Sequence, residues 1–155
     1  MIGTVDFNAA CYDRYANLAL GQLAKNLRGD EDLIARTAGA WLRAFVNANP
    51  SGKQNSTAAR TKPETLLTVV RDHGAWNLAN AFLRPVIGDD LLGESTRRML
   101  DHFSRLRGFY GDDELRKVIA AAATSELPAL EGSDTATSLN ELVDRTLGAA
   151  LEQAA

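Results

Sequence analysis

The sequence is short of cysteine, of histidine, of long apolar runs and of net charge, and each shortage removes a class of function. One cysteine, Cys11, stands in 155 residues, so no internal disulfide can form, which fits a reducing compartment. Its neighbours alternate apolar and polar, the setting of a buried structural thiol, and no base is placed to activate it. No stretch approaches the roughly 18 apolar residues that cross a bilayer. The longest weakly polar run is Val118 to Ala123. The N-terminus lacks a basic region followed by an apolar one, so no secretory signal is expected, and the cytoplasm is the default compartment. The net charge is -3. The chain therefore has no bulk basic field, and any contact with nucleic acid has to come from a local cluster.

What is present is an ordinary soluble composition, 45% hydrophobic and 24% charged, in a length that suits a single domain over residues 1–155. Thr4 to Leu20 reads as extended, with Tyr12, Arg14, Ala16 and Leu18 on one face and Cys11, Asp13, Tyr15 and Asn17 on the other. A short helix over Leu20 to Leu27 should end at Gly29. A longer one over Asp30 to Ala48 carries Ile34, Ala38, Trp41, Leu42 and Phe45 as an apolar stripe, with Asp30, Glu31 and Asp32 in its first turn. Asn49 to Pro63 has no hydrophobic period and reads as a long loop, a length that is often functional. Thr65 to Arg71 is a buried strand, Trp76 to Leu83 a short helix closed by Pro85, and Asp90 to Arg107 a second strong helix. Lys117 to Ala123 fits a strand or a continued helix, which periodicity cannot decide. Ser125 to Ala136 is a loop and Ser138 to Gln153 the last helix. The order gives an α+β fold with so few strands that the sheet looks like part of a larger one.

Most chemical motifs fail on inspection. Gly52-Lys53 lacks the glycine that a phosphate-binding loop needs at position 47, which is Asn47, and the Ser or Thr at position 54, which is Gln54. His73 and His102 are the only histidines, they fall in different elements, and no cysteine or acidic pattern supplies metal-ligand spacing. Asp112-Asp113-Glu114 follows Gly111 and reads as a cap at a helix start, as does Asp89-Asp90. Trp41, Trp76, Phe82 and Phe103 lie in apolar segments and are expected in the core.

Charge segregation is the informative feature. From Leu33 to Pro63 there is no acid, while Arg36, Arg43, Lys53, Arg60 and Lys62 supply five positive charges. In a chain of net negative charge this is a local reversal. Lys53-Gln54-Asn55-Ser56-Thr57 adds several kinds of hydrogen-bond donor, the chemistry that contacts phosphate and sugar oxygens. No aromatic residue is interleaved there, so base stacking is not expected in the loop. A solvated loop with surface charge is the plainer reading of the same residues.

Three stretches occur in a telling order: Gly3-Thr4-Val5-Asp6-Phe7 leading into Tyr12-Asp13-Arg14-Tyr15-Ala16-Asn17-Leu18, then Pro50-Ser51-Gly52-Lys53-Gln54-Asn55-Ser56, then Leu78-Ala79-Asn80-Ala81-Phe82. Over roughly residues 3 to 110 this set resembles the C-terminal part of the CasC (Cse4) family, the backbone subunit of type I-E CRISPR Cascade. The resemblance implies an RRM-like (ferredoxin-like) palm with appended helices, in a subunit that grips the CRISPR RNA sugar-phosphate backbone and lines up beside copies of itself. It implies other Cascade subunits as partners, target DNA met only through the assembled complex, no cofactor, no metal and no catalytic residue. Carried onto this chain, Lys53, Gln54 and Asn55 are the first RNA-binding candidates. Arg60 and Lys62 follow from charge, and Arg14 from its place on the expected strand. Two alternatives stay open: a metal-independent RNA-processing nuclease using His73 or His102 on a related fold, and a protein-interaction domain that binds no RNA.

Overall fold

In the computed structural model, residues 10–49, 52, 55–56, 60–130 and 132–152 are described. The element order is α1 (Leu20–Asn26), α2 (Glu31–Asn47), β1 (Thr65–Arg71), a 3-10 turn (Ala79–Phe82), α3 (Leu91–Tyr110), β2 (Leu115–Ala122), β3 (Asp134–Thr135) and α4 (Leu139–Leu151). The fold is α+β, four helices around a three-stranded mixed sheet of order β1-β2-β3. β1 and β2 run antiparallel, with Leu66 opposite Ala121 and Thr68 opposite Ile119, and a register shift falls between Val70 and Arg71. β3 runs parallel to β2.

The helices start where short polar side chains satisfy their free N–H groups. Asp30 accepts from Leu33 N at 3.0 Å, Asp90 from Gly93 N at 2.8 Å and Ser138 from Glu141 N at 3.2 Å. α1 ends in a Schellman motif: Gly29 N reaches Ala24 O at 2.9 Å and Arg28 N reaches Lys25 O at 3.2 Å. The left-handed residue that such a motif needs is Arg28, φ 56°, although glycine fills that role at least cost. Gly29, the expected stop, closes the motif with its own left-handed backbone, φ 76°.

Side chains alternate across the sheet and feed two cores. Leu66, Ile119 and Ala121 face α2 and α4 and pack with Leu42, Leu142, Val143, Trp41 and Leu147. Leu67, Val69 and Val118 face α3 and pack with Leu78, Leu100, Phe103 and Trp76. Leu100, Phe103, Ile119, Leu142 and Val143 are the fully buried large side chains. Each contributes on the order of 2 kcal/mol by leaving water. Hydroxyl pairs tie each helix layer to β1: Thr65 to Thr96 at 2.6 Å and Thr68 to Thr146 at 2.8 Å. Thr146 also donates to Leu142 O at 2.6 Å, so Thr68 is the donor in its pair.

Four expectations change. Residues 10–19 form no strand, because extended propensity becomes a strand only where a sheet edge pairs with it; residues 4–9 lie outside the described set. Cys11 is exposed, not buried, since that segment has no second layer to cover it. The acidic run at Asp112 to Glu114 caps no helix; it leads into β2, with Asp112 paired to Arg107 and Glu114 to Arg71 at 3.0 Å. The loop expected over Ser125 to Ala136 contains the two residues of β3. The ambiguous run at Lys117 to Ala123 is strand, and the segment Trp76 to Leu83 is helical only over its 3-10 turn. Among the described residues, no helix is long and apolar enough to cross a membrane.

Candidate nucleic-acid interface

The acid-free stretch comprises most of α2 and the loop that follows it. Its two ends are drawn together by side chains at the end of the helix. Asn49 Nδ2 donates to Thr61 O at 2.6 Å, and Lys62 Nζ donates to Asn47 Oδ1 at 2.8 Å. Asn47 Nδ2 in turn donates to Arg43 O at 2.8 Å. The loop thus leaves and returns at one place, the last turn of α2. Gly52, Asn55, Ser56, Arg60, Thr61 and Lys62 are exposed along it. Lys53 and Gln54 lie outside the described residues.

The cations that α2 contributes have carboxylates nearby. Arg36 Nη1 is 3.4 Å from Asp32, both strongly exposed. Arg43 Nη2 is 3.9 Å from Asp144, and its Nη1 donates to Asn140 Oδ1 at 2.6 Å. Exposed pairs of this sort are worth about 0–1 kcal/mol, so they exchange readily for another anion.

Arg14 is held elsewhere. Its guanidinium sits 4.7 Å from the ring centroid of Phe45, and Phe45 stacks on Trp41 with centroids 5.9 Å apart. At about 100° per residue, positions 43 and 47 share one side of α2 while 45 lies across the helix from 43. Arg43, Asn47 and Lys62 therefore form one group, and Arg14 stands on another side of α2.

A second set of cations, which no sequence pattern singles out, lines a shallow depression of about 500 Å³ between β2 and α4: Arg116, Lys117 and Arg145, with Gly148, Ala149 and Glu152. Lys117 and Arg145 both pair with Asp134, and Arg116 pairs with Asp72. The hydrogen bond from Lys117, reinforced by Arg145, holds the Asp134 carboxyl below its ordinary range. Arg116 likewise holds Asp72 low. The only cue in sequence is Arg116-Lys117 at the head of an apolar run; their partners are remote in the chain.

The two histidines sit in different places, His73 just after β1 and His102 within α3. His102 lines a cleft of about 290 Å³ with Trp76, Asn77, Asn80, Leu106 and Tyr110. The backbone carbonyl of His73 accepts from Arg71 Nε at 3.1 Å. Among the described residues no cluster of three or more His, Cys, Asp or Glu is placed to hold a metal.

At the base of the loop, Glu64 Oε1 accepts from Thr124 N at 2.8 Å, Thr124 Oγ1 at 2.7 Å, Ser125 N at 2.7 Å and Ser125 Oγ at 2.9 Å. The hydrogen bond from the Thr124 side chain leads in lowering its pKa to about 2. Glu64 is thereby spent on joining the start of β1 to the end of β2, so the acid that ends the basic stretch is already occupied.

A family model described as CT1975-like protein matches residues 1–145. Among solved structures, a chain titled "CRISPR RNA-guided surveillance complex" is 29% identical with a TM-score of 0.76, over 84% of this chain and 50% of that one. A second, titled "CRISPR RNA-guided surveillance complex, pre-nicking", is 30% identical with a TM-score of 0.72, over 84% of this chain and 35% of that one. The matched region is thus half of one relative's length and about a third of the other's. No curated protein matches.

Proposed function

The chain belongs to the CT1975-like family, and from that premise we propose that it is a non-catalytic RNA-binding backbone subunit of a CRISPR surveillance complex. Its similarity to two chains of such complexes supports a role of this type. The finer reading is that it grips the CRISPR RNA through the sugar-phosphate chain and assembles side by side with copies of itself and with other subunits, meeting target DNA through the assembly.

One observation carries the RNA contact: a loop from the acid-free stretch, closed at its base by Asn49 with Thr61 and by Asn47 with Lys62, which exposes Asn55, Ser56, Arg60 and Lys62. These two bonds fix the described ends of the loop at the last turn of α2. Donors of mixed type without aromatic platforms suit backbone contact, not base reading. Exposed Leu83, Ile87 and Leu92 supply apolar surface suited to subunit contact.

The test is a Lys53→Ala, Arg60→Ala double variant of the chain, titrated with single-stranded RNA at several salt concentrations. Binding should weaken to a similar degree for every RNA sequence, and the salt slope should flatten by about 0.7 for each phosphate no longer neutralised. Unchanged affinity and slope would refute the loop assignment.

A further inference from the structure

Beyond the other end of β1 from the loop, Trp76 and Tyr110 line the cleft of about 290 Å³ together with Asn77, Asn80 and His102. The two ring centroids are 6.2 Å apart and the planes are inclined at 49°, so the rings open as a wedge. The seven residues of β1 put about 23 Å of strand between this cleft and the loop.

Trp76 is held in place by its neighbours. The Arg71 guanidinium lies 4.0 Å from its ring centroid, and Phe103 meets it edge-on with centroids 6.0 Å apart. Arg71 is itself fixed, by Glu114 at 3.0 Å and by the His73 carbonyl at 3.1 Å. Glu114 also balances its charge, so the cleft presents a supported aromatic surface and no spare guanidinium for a phosphate.

Polar groups surround the rings. Asn77 Oδ1 accepts from Ala79 N at 2.9 Å, which leaves its Nδ2 hydrogens as donors. The Asn80 amide and the His102 imidazole can each donate and accept. Aromatic walls with a few amide and imidazole groups suit a flat ring whose edge carries both donors and acceptors, the chemistry of a nucleobase. The volume stands at the lower limit of small-ligand sites, about 300 Å³, which admits one ring system and not a peptide segment.

We propose that this cleft holds one unstacked nucleobase against Trp76 and Tyr110. Stacking accepts every base, and the mixed rim pairs with more than one base edge, so the site adds no strong sequence preference. The base comes from the bound strand or from a free nucleotide. The first source rests on the RNA-binding reading above; the chemistry of the cleft does not.

The experiment uses fluorescence, since the chain has two tryptophans, Trp41 and Trp76. In a Trp41→Phe background the emission reports Trp76 alone. Neutral adenosine should quench it saturably, with an affinity that ignores salt and is unchanged by Lys53→Ala with Arg60→Ala. Tyr110→Leu should weaken adenosine binding about tenfold. Quenching by single-stranded RNA, but not by an abasic strand of the same length, assigns the source to the strand; quenching by adenosine and not by RNA assigns it to a free nucleotide. Loss of salt-dependent RNA binding with adenosine binding intact would overturn the loop reading and leave the cleft standing. No quenching by adenosine, quenching that Tyr110→Leu leaves unchanged, or equal quenching by the abasic strand would each overturn the proposal.

Discussion

Lys62 Nζ donates to Asn47 Oδ1 at 2.8 Å, so the returning end of the basic loop is fastened to the last turn of α2 by a neutral acceptor. An amide acceptor leaves the full positive charge of Lys62 for a phosphate, where a carboxylate would cancel it. Two substitutions separate anchoring from charge. Lys62→Ala should reduce the slope of log affinity against log salt by about 0.7. Asn47→Ala should leave that slope unchanged, because the charge remains. RNA titrations over a salt series read both, and equal slopes for the two variants would contradict this role for Lys62.

Glu64 makes folding stability depend on acid. Its folded pKa of about 2 lies below the ordinary value of 4.5, so its contribution is complete above pH 4.5 and is lost as pH falls toward 2. Glu64→Gln should destabilise the chain by about 1 kcal/mol at neutral pH. The gap between wild type and variant should close across that acid window. Urea melts at stepped pH measure it, and a gap that widened on acidification would have the wrong sign.

The Thr68 and Thr146 hydroxyls form a directed chain ending on Leu142 O at 2.6 Å. Thr146→Val should cost about 1–2 kcal/mol, because it strands the Thr68 donor beside a carbonyl of Ile119 at a poor 3.4 Å. Thr68→Val should cost less, since Thr146 keeps its own acceptor. Thermal or urea denaturation of both variants gives the order.

Arg28 holds a left-handed backbone, φ 56°, at the end of α1. Arg28→Gly should stabilise the chain by about 0.5–1 kcal/mol, as glycine adopts this conformation without the Cβ clash. A destabilised variant would show that the Arg28 side chain matters more than its backbone.

The sequence patterns that proved legible are those whose physics is local. The stripe Ile34, Ala38, Leu42 and the caps Asp30, Asp90 and Ser138 act within a few residues, so α2, α3 and α4 could be read directly. β1 was legible because Thr65 to Arg71 is apolar, β-branched and flanked by polar turns. Residues 10–19 misled because strand propensity says nothing about whether a partner edge exists. Thr135 and Asp134 were invisible because two residues make no pattern. At the candidate site the cations of α2 and its loop could be seen in advance, but their partners and the second set of cations could not. Asp144 reaches Arg43 only through the packing of α4 on α2, and Asp134 gathers Lys117 and Arg145 from separate elements. The amide anchors Asn47 and Asn49 were missed for the same reason, since each acts on a residue across the loop.

The most direct measurement is the affinity of the chain for single-stranded RNAs of equal length and different sequence, followed over a salt series. The expected result is similar affinity for each RNA, with log affinity falling linearly as log salt rises. Absence of measurable binding, or binding that follows base sequence and ignores salt, would contradict the assignment of the acid-free stretch to the sugar-phosphate chain.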